Sequence, residues 1–298
     1  MSKMNKDMME ESMKIGFIGL GLMGEAMASN IIQKHSEPVY VFDVDPAKIK
    51  VLEKSGGKGA ASAKEIAAVC DVVISMVPKS VHVQTVYDEM ADNMRPNQVY
   101  IDMSTIDPKV SVELSKVVGQ KGAVMLDAPV VKSRPAALEG KLGIYVGGDK
   151  NTYESVRFIL EYMGCSILYM GGNGSGLTMK ILHNMMVAQI QNAVNETLSM
   201  AEYCNIGYDQ FAQAIACGGG QNFYLDSKLA TIQKKDYEAV FSVENMDKDV
   251  NIAVDMAKEK GMNYPGMNLV QQLYSQAMTD GGKKDFSYLY EIVLRNAK

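Results

Sequence analysis

One stretch near the start restricts the fold more than any other. KIGFIG is an apolar run that ends in glycine and passes through LGLMG straight into residues with helical spacing, so glycines stand at 19, 21 and 24. A G-x-G-x-x-G turn placed after a strand and before a helix is the dinucleotide-binding turn of a Rossmann unit. Gly19 permits the tight bend, Gly21 lets a pyrophosphate approach the backbone, and Gly24 lets the helix pack on the strand. Gly19, Leu20, Gly21, Leu22, Met23 and Gly24 are therefore the expected cofactor-binding turn, with the amides of the helix start facing the phosphates.

The rest of the first half agrees. Apolar runs at 14–19, 38–43, 71–77, 98–103, 123–128, 142–148 and 165–170 alternate with helical stretches at 22–34, 46–55, 80–90, 108–120 and 150–162. Such alternation predicts βαβ units and a parallel sheet buried on both faces. After Gly171 the strands stop. A long helical stretch over 175–205 carries Leu177, Ile181, Met185 and Ala188 on one face, and helical segments continue to Arg295. The expected fold is an α/β Rossmann domain over 14–173 joined by a long helix to an all-α domain over 174–298, after a disordered tail over 1–13. The folded pattern begins at Lys14, which leaves Met13 as an alternative start.

Asp43 ends the second run, 19 residues after Gly24, where a carboxylate meets the hydroxyls of an adenosine ribose. It would repel a 2′-phosphate, and no arginine follows directly, which favours NAD over NADP. Lys48 and Lys50 lie close enough to matter but read more simply as solvated helix residues.

Composition narrows the function further. A formal charge of −5 disfavours a general nucleic-acid binder. The four cysteines form no CxxC pair, and the three histidines form no ligand spacing, so no metal is expected. No secretory signal and no membrane-length apolar run is present, and the expected setting is cytoplasmic.

Lys180 and Asn184 stand four apart and share a helix face. Such a pair can serve as proton donor and hydroxyl holder, and it also suits an ordinary solvated helix face. Its surroundings add a resemblance. GFIGLGLMG, MVP at 76–78, DMST at 102–105, DAPV at 127–130, GNGSGLTMKILHN at 172–184 and DKDV at 247–250 occur in the order and spacing of the β-hydroxyacid dehydrogenase family. The chain resembles that family over almost its whole length. The resemblance implies NAD(P)-dependent hydride transfer between a short 3-hydroxy acid and its semialdehyde. Lys180 would be the catalytic acid/base and Asn184 the substrate-orienting amide. Val77, Pro78, Ser104 and Thr105 match positions around the nicotinamide, its ribose and the substrate, and Lys248 matches a lysine near the cofactor. A homodimer or homotetramer is implied as well.

One segment departs from the family. The usual DAPVSGG reads DAPVVKSR, so the substrate-contacting Ser-Gly-Gly positions hold Val131, Lys132 and Ser133, with Arg134 next. Ser133 is a candidate to replace the missing hydroxyl, and Lys132 or Arg134 either contacts an anion or faces solvent. Sulfolactaldehyde reductases of the same family also depart here, so a sulfonate or another more anionic substrate is an alternative to 3-hydroxyisobutyrate. A non-catalytic NAD(P)-binding reader is a further alternative, disfavoured by the presence of Lys180. GGGQNFY at 218–224 reads as a lid or a plain loop.

Overall fold

The apolar runs form one sheet. The computed structural model describes residues 12–297. Its first unit contains β1 (Ile15–Ile18), β2 (Tyr40–Phe42), β3 (Lys58–Gly59), β4 (Val72–Ser75), β5 (Val99–Asp102), β6 (Val124–Asp127), β7 (Val130–Val131), β8 (Leu142–Gly147) and β9 (Gly164–Gly171). The order is β3-β2-β1-β4-β5-β6-β8-β7, with β9 paired to β8. From β3 to β6 every pairing is parallel, in the doubly wound order of a Rossmann domain. Alternate residues enter separate cores: Phe17, Ile74, Ile101 and Leu126 face one, while Ile18, Val73, Tyr100 and Met125 face the other. That two-sided burial is why the runs are apolar throughout.

The sheet is not parallel everywhere, as the alternation had suggested. β8 runs antiparallel to both β6 and β7. Between β6 and β8 the chain has only β7 and the five-residue helix α6 (Arg134–Leu138), too little helix to carry it back across the sheet. The remaining helices of this unit are α1 (Leu22–Lys34), α2 (Pro46–Glu53), α3 (Ala63–Val69), α4 (Ser80–Met90), α5 (Pro108–Gln120) and α7 (Lys150–Met163), with α6 at Arg134–Leu138. Several starts are written locally. Asp45, Ser62, Asp107 and Asp149 cap α2, α3, α5 and α7 by accepting an amide of the first turn. Each such cap stabilises its helix by about 1 kcal/mol.

The second unit is helical among the described residues: the rest of α8 (Ser175–Tyr203), then α9 (Tyr208–Ala216), α10 (Phe223–Lys234), α11 (Val243–Glu259), α12 (Pro265–Gly281) and α13 (Leu289–Asn296). Ile181, Met185 and Ala188 of α8 enter its core beside Tyr274 and Leu289. Asp285 is fully buried there and is satisfied by Lys228 at 2.9 Å and by Ser287, whose hydroxyl donates at 2.6 Å. A lone buried charge at that point would be strongly destabilising. Gln221 and Asn222 are occupied at the start of α10: Asn222 caps it, and Gln221 donates to Asp226 at 2.8 Å. Phe223 is exposed.

The two units divide at Lys180/Ile181, inside α8, whereas the glycine-rich stretch had suggested 173/174. The first turns of α8 belong to the first unit because Leu177 is fully buried in its core. Of the expected tail, residues 1–11 lie outside the described residues. Met13 packs against the first core, and its carbonyl meets His35 Nε2 at 2.7 Å. Among the described residues, no helix is long and apolar enough to cross a membrane.

Candidate functional site

The three glycines of the first turn differ as their spacing predicts. Gly19 has φ +92°, and a Cβ there would lie 2.3 Å from the Met76 carbonyl oxygen. A Cβ on Gly24 would lie 1.9 Å from the Gly19 carbonyl oxygen, so helix and turn touch directly. Gly21 faces open space, with nothing within 4 Å of where its Cβ would be. It is also the N-cap of α1 and supplies no side-chain cap. An uncapped helix start beside a vacant backbone face fits a pyrophosphate. The amides offered are those of the first helical residues, Leu22 and Met23. Leu20 contributes differently, since its N–H donates to Asp43 Oδ2 at 2.7 Å.

Asp43, at the end of β2, is buried, and its other oxygen accepts from the Asp45 amide at 2.9 Å. It thus fixes the turn. Lys48 is not simply solvated: its ammonium lies 3.5 Å from Asp43 Oδ1.

The loops after β4 and β5 are tied together. Ser104 Oγ accepts from the Val77 amide at 2.9 Å and donates to Asp102 Oδ1 at 2.7 Å. Ser75 Oγ donates to the same oxygen at 2.8 Å. Ser104 is fully buried, so its hydroxyl proton is used within the fold, whereas Thr105 is half-buried and Pro78 exposed. Asp102 Oδ2 has no hydrogen-bond partner. Burial raises the Asp102 carboxyl to about 6, opposed by the bonds from Ser104 and Ser75.

Lys180 lies in the second turn of α8 and is 8% exposed. The start of that helix is held by Asp127 at the end of β6, which accepts from the Gly174 and Leu177 amides at 2.7 and 2.8 Å. Nothing in the sequence marked this aspartate beyond its place in DAPV.

In the second unit, Asn184 donates from Nδ2 to Asp249 Oδ2 at 2.6 Å, and Lys248 donates to Asp249 Oδ1 at 2.7 Å. Asn184 and Asp249 are both buried. An acceptor on the Nδ2 side fixes which way the amide faces. The Lys248 charge is balanced by its neighbour. Asp249 was missed because it is adjacent to the residue the motif singles out.

The departing segment rises beyond the C-terminal end of β6, where β7 pairs with β8. Lys132 has φ +78°, a left-handed conformation that suits the glycine usual at this position. Its ammonium donates to the Lys141 carbonyl at 2.7 Å. Arg134 lies 3.8 Å from Glu25 in the first turn of α1. Val131 and Ser133 are half-buried.

Residues 14–171 match the family described as the NAD binding domain of 6-phosphogluconate dehydrogenase. Residues 174–293 match the one described as NAD-binding of NADP-dependent 3-hydroxyisobutyrate dehydrogenase. The mitochondrial 3-hydroxyisobutyrate dehydrogenase of Drosophila melanogaster is 33% identical, covering 94% of this chain and 89% of its own. The 2-(hydroxymethyl)glutarate dehydrogenase of Eubacterium barkeri is 27% identical, covering 95% and 96%. Among solved structures, 3-hydroxyisobutyrate dehydrogenase of Mycobacterium tuberculosis with L-serine superposes with a TM-score of 0.88 at 28% identity, covering 94% of this chain and 98% of that one.

Proposed function

Because the chain belongs to the β-hydroxyacid dehydrogenase family and is an NAD(P)-dependent oxidoreductase, we propose that it interconverts a short 3-hydroxy acid, of the 3-hydroxyisobutyrate type, and its semialdehyde with NAD. The bound nicotinamide supplies or accepts the hydride. Lys180 takes the hydroxyl proton in oxidation and returns it to the carbonyl oxygen in reduction. Asn184 holds the same oxygen. Gly21, Leu22 and Met23 receive the pyrophosphate, and Asp43 receives the adenosine ribose. Val77, Pro78 and Thr105 border the nicotinamide, with Ser104 setting the Val77 loop from behind.

The observation that carries this reading is the buried Lys180 placed one helical turn before Asn184, whose amide is oriented by Asp249. The test is NADH formation over a panel of hydroxyisobutyrate, hydroxypropionate, glycerate, serine and sulfonate-bearing hydroxy compounds. Lys180→Ala should abolish turnover while leaving NAD bound, and retained turnover overturns the mechanism.

A second reading, a more anionic substrate, draws on Lys132 and Arg134 in the departing segment. The Eubacterium barkeri relative is named for a dicarboxylate, which supports this second reading. Exposed Leu182, Met186 and Met200 on α8 support assembly as a homodimer or homotetramer, which sedimentation would check.

A further inference from the structure

Asp127 is a carboxylate of the first unit that reaches the helix carrying Lys180, and it does so from 47 residues away in sequence. It is fully buried at the end of β6. Oδ1 accepts from the Gly174 amide at 2.7 Å and Oδ2 from the Leu177 amide at 2.8 Å. The space around it is reserved. A Cβ on Gly147 would lie 2.6 Å from Oδ1, and one on Gly176 would lie 2.9 Å from Oδ2. A second tie runs alongside: Asn173 Nδ2 donates to the Met125 carbonyl at 2.6 Å. The start of α8 is therefore fixed to the end of β6 in both rise and rotation.

Charge-assisted bonds to backbone amides are shorter and about twice as strong as neutral ones. Two of them to amides three residues apart leave the first turn little freedom to rotate. Lys180 follows Leu177 by three residues, so the direction of its side chain is set by that turn. We propose that Asp127 is the positioning residue of Lys180, holding α8 in the rotation that aims the ammonium at the reacting oxygen. The proposal rests on the acid/base reading of Lys180. It needs no contact between Asp127 and any substrate.

The experiment uses the full chain with Asp127→Asn, Asp127→Ala and Lys180→Ala in parallel, with active sites counted by NADH titration. Asparagine keeps one acceptor and turns an NH2 group toward the other amide; alanine keeps neither. The expected result is a kcat per NADH-binding site lower by about 10-fold in Asp127→Asn and about 100-fold in Asp127→Ala, the scale of a displacement near 1 Å. KM for the substrate and Kd for NADH should stay within about two-fold, and a solvent deuterium isotope effect on kcat should grow as proton transfer becomes limiting. A residue that only stabilised the fold would lower Tm and the number of sites while leaving kcat per site and the isotope effect unchanged, and that outcome overturns the proposal. If Lys180→Ala turns over like wild type, the reading of Lys180 fails and this inference with it. If Lys180→Ala is dead and both Asp127 variants match wild type per site, this inference alone fails.

Discussion

Asn184 donates its side-chain amide to Asp249 at 2.6 Å, so the carbonyl half of that amide is turned away from the carboxylate. The second Nδ2 hydrogen is left to donate to the reacting oxygen, as hydroxyl or as carbonyl, while Lys180 handles its proton. Asp249→Ala removes the acceptor and frees the amide to flip. The expected loss in kcat/KM is about 10- to 100-fold, with the fold intact by circular dichroism, as for a displaced orienting group. Wild-type kinetics in that variant would show that the orientation of Asn184 has no part in turnover.

Asp43 holds the Leu20 amide and, in the proposed function, also meets the adenosine ribose. Asp43→Ala should weaken NAD binding at least about tenfold, since it loses a charge-assisted bond within the turn as well as the ribose contact. The ratio of NADP to NAD affinity should rise, because Lys48 is left without its carboxylate beside the 2′ position. Fluorescence titration of both reduced cofactors measures this. A wild-type protein that already favours NADP contradicts the role given to Asp43.

Asp102 should make stability fall as pH rises over a defined window. Its carboxyl is held at about 6 by burial, above the value near 3.9 expected for the unfolded chain. The folded state therefore keeps its proton where the unfolded state has lost it. Its contribution is fully present below about pH 4, is lost as pH rises through about 6, and is constant above. The full span is about 3 kcal/mol. Asp102→Asn should remove that slope and, at neutral pH, match or exceed wild-type stability in urea melts. The orphaned Oδ2 makes this substitution mild, because no donor is lost there.

Lys132→Gly tests the strained corner of the departing segment. A side chain in the left-handed region costs about 1 kcal/mol, so glycine should raise Tm by a few degrees even with the bond to Lys141 lost. If the ammonium reads a substrate anion, the same variant loses activity on sulfonates and dicarboxylates selectively. Unchanged selectivity across the panel removes the second reading of the substrate.

Much of the first unit could be read directly from the chain. Long two-sided strands such as DVVISMV, and the glycine roles at 19, 21 and 24, follow from local rules that tertiary structure does not override. What escaped was short or reversed. β3, β7, α3 and α6 hold too few residues to show a period, and the turn of β8 against β6 depends on the length of α6 rather than on any residue type. The same limit applies at the site. Lys180 and Asn184 were singled out by their shared helix face together with the motifs around them. The residues that hold the motif positions in place act across long separations or from beside them: Asp127 reaches Leu177 over 50 positions, and Asp249 sits next to a more conspicuous lysine. Lys132 was legible as a departure, but its backbone conformation was not.

The division of the chain inside α8 limits how separable its parts can be. A cut at the glycines of 171–174 looks like a natural seam, yet it would take Leu177 out of the first core and leave the Asp127 carboxylate without the amides that satisfy it. The N-terminal portion should fold by itself only if it extends past Lys180. In swaps between relatives, the residues of this helix up to Lys180 should travel with the sheet and not with the helices that follow.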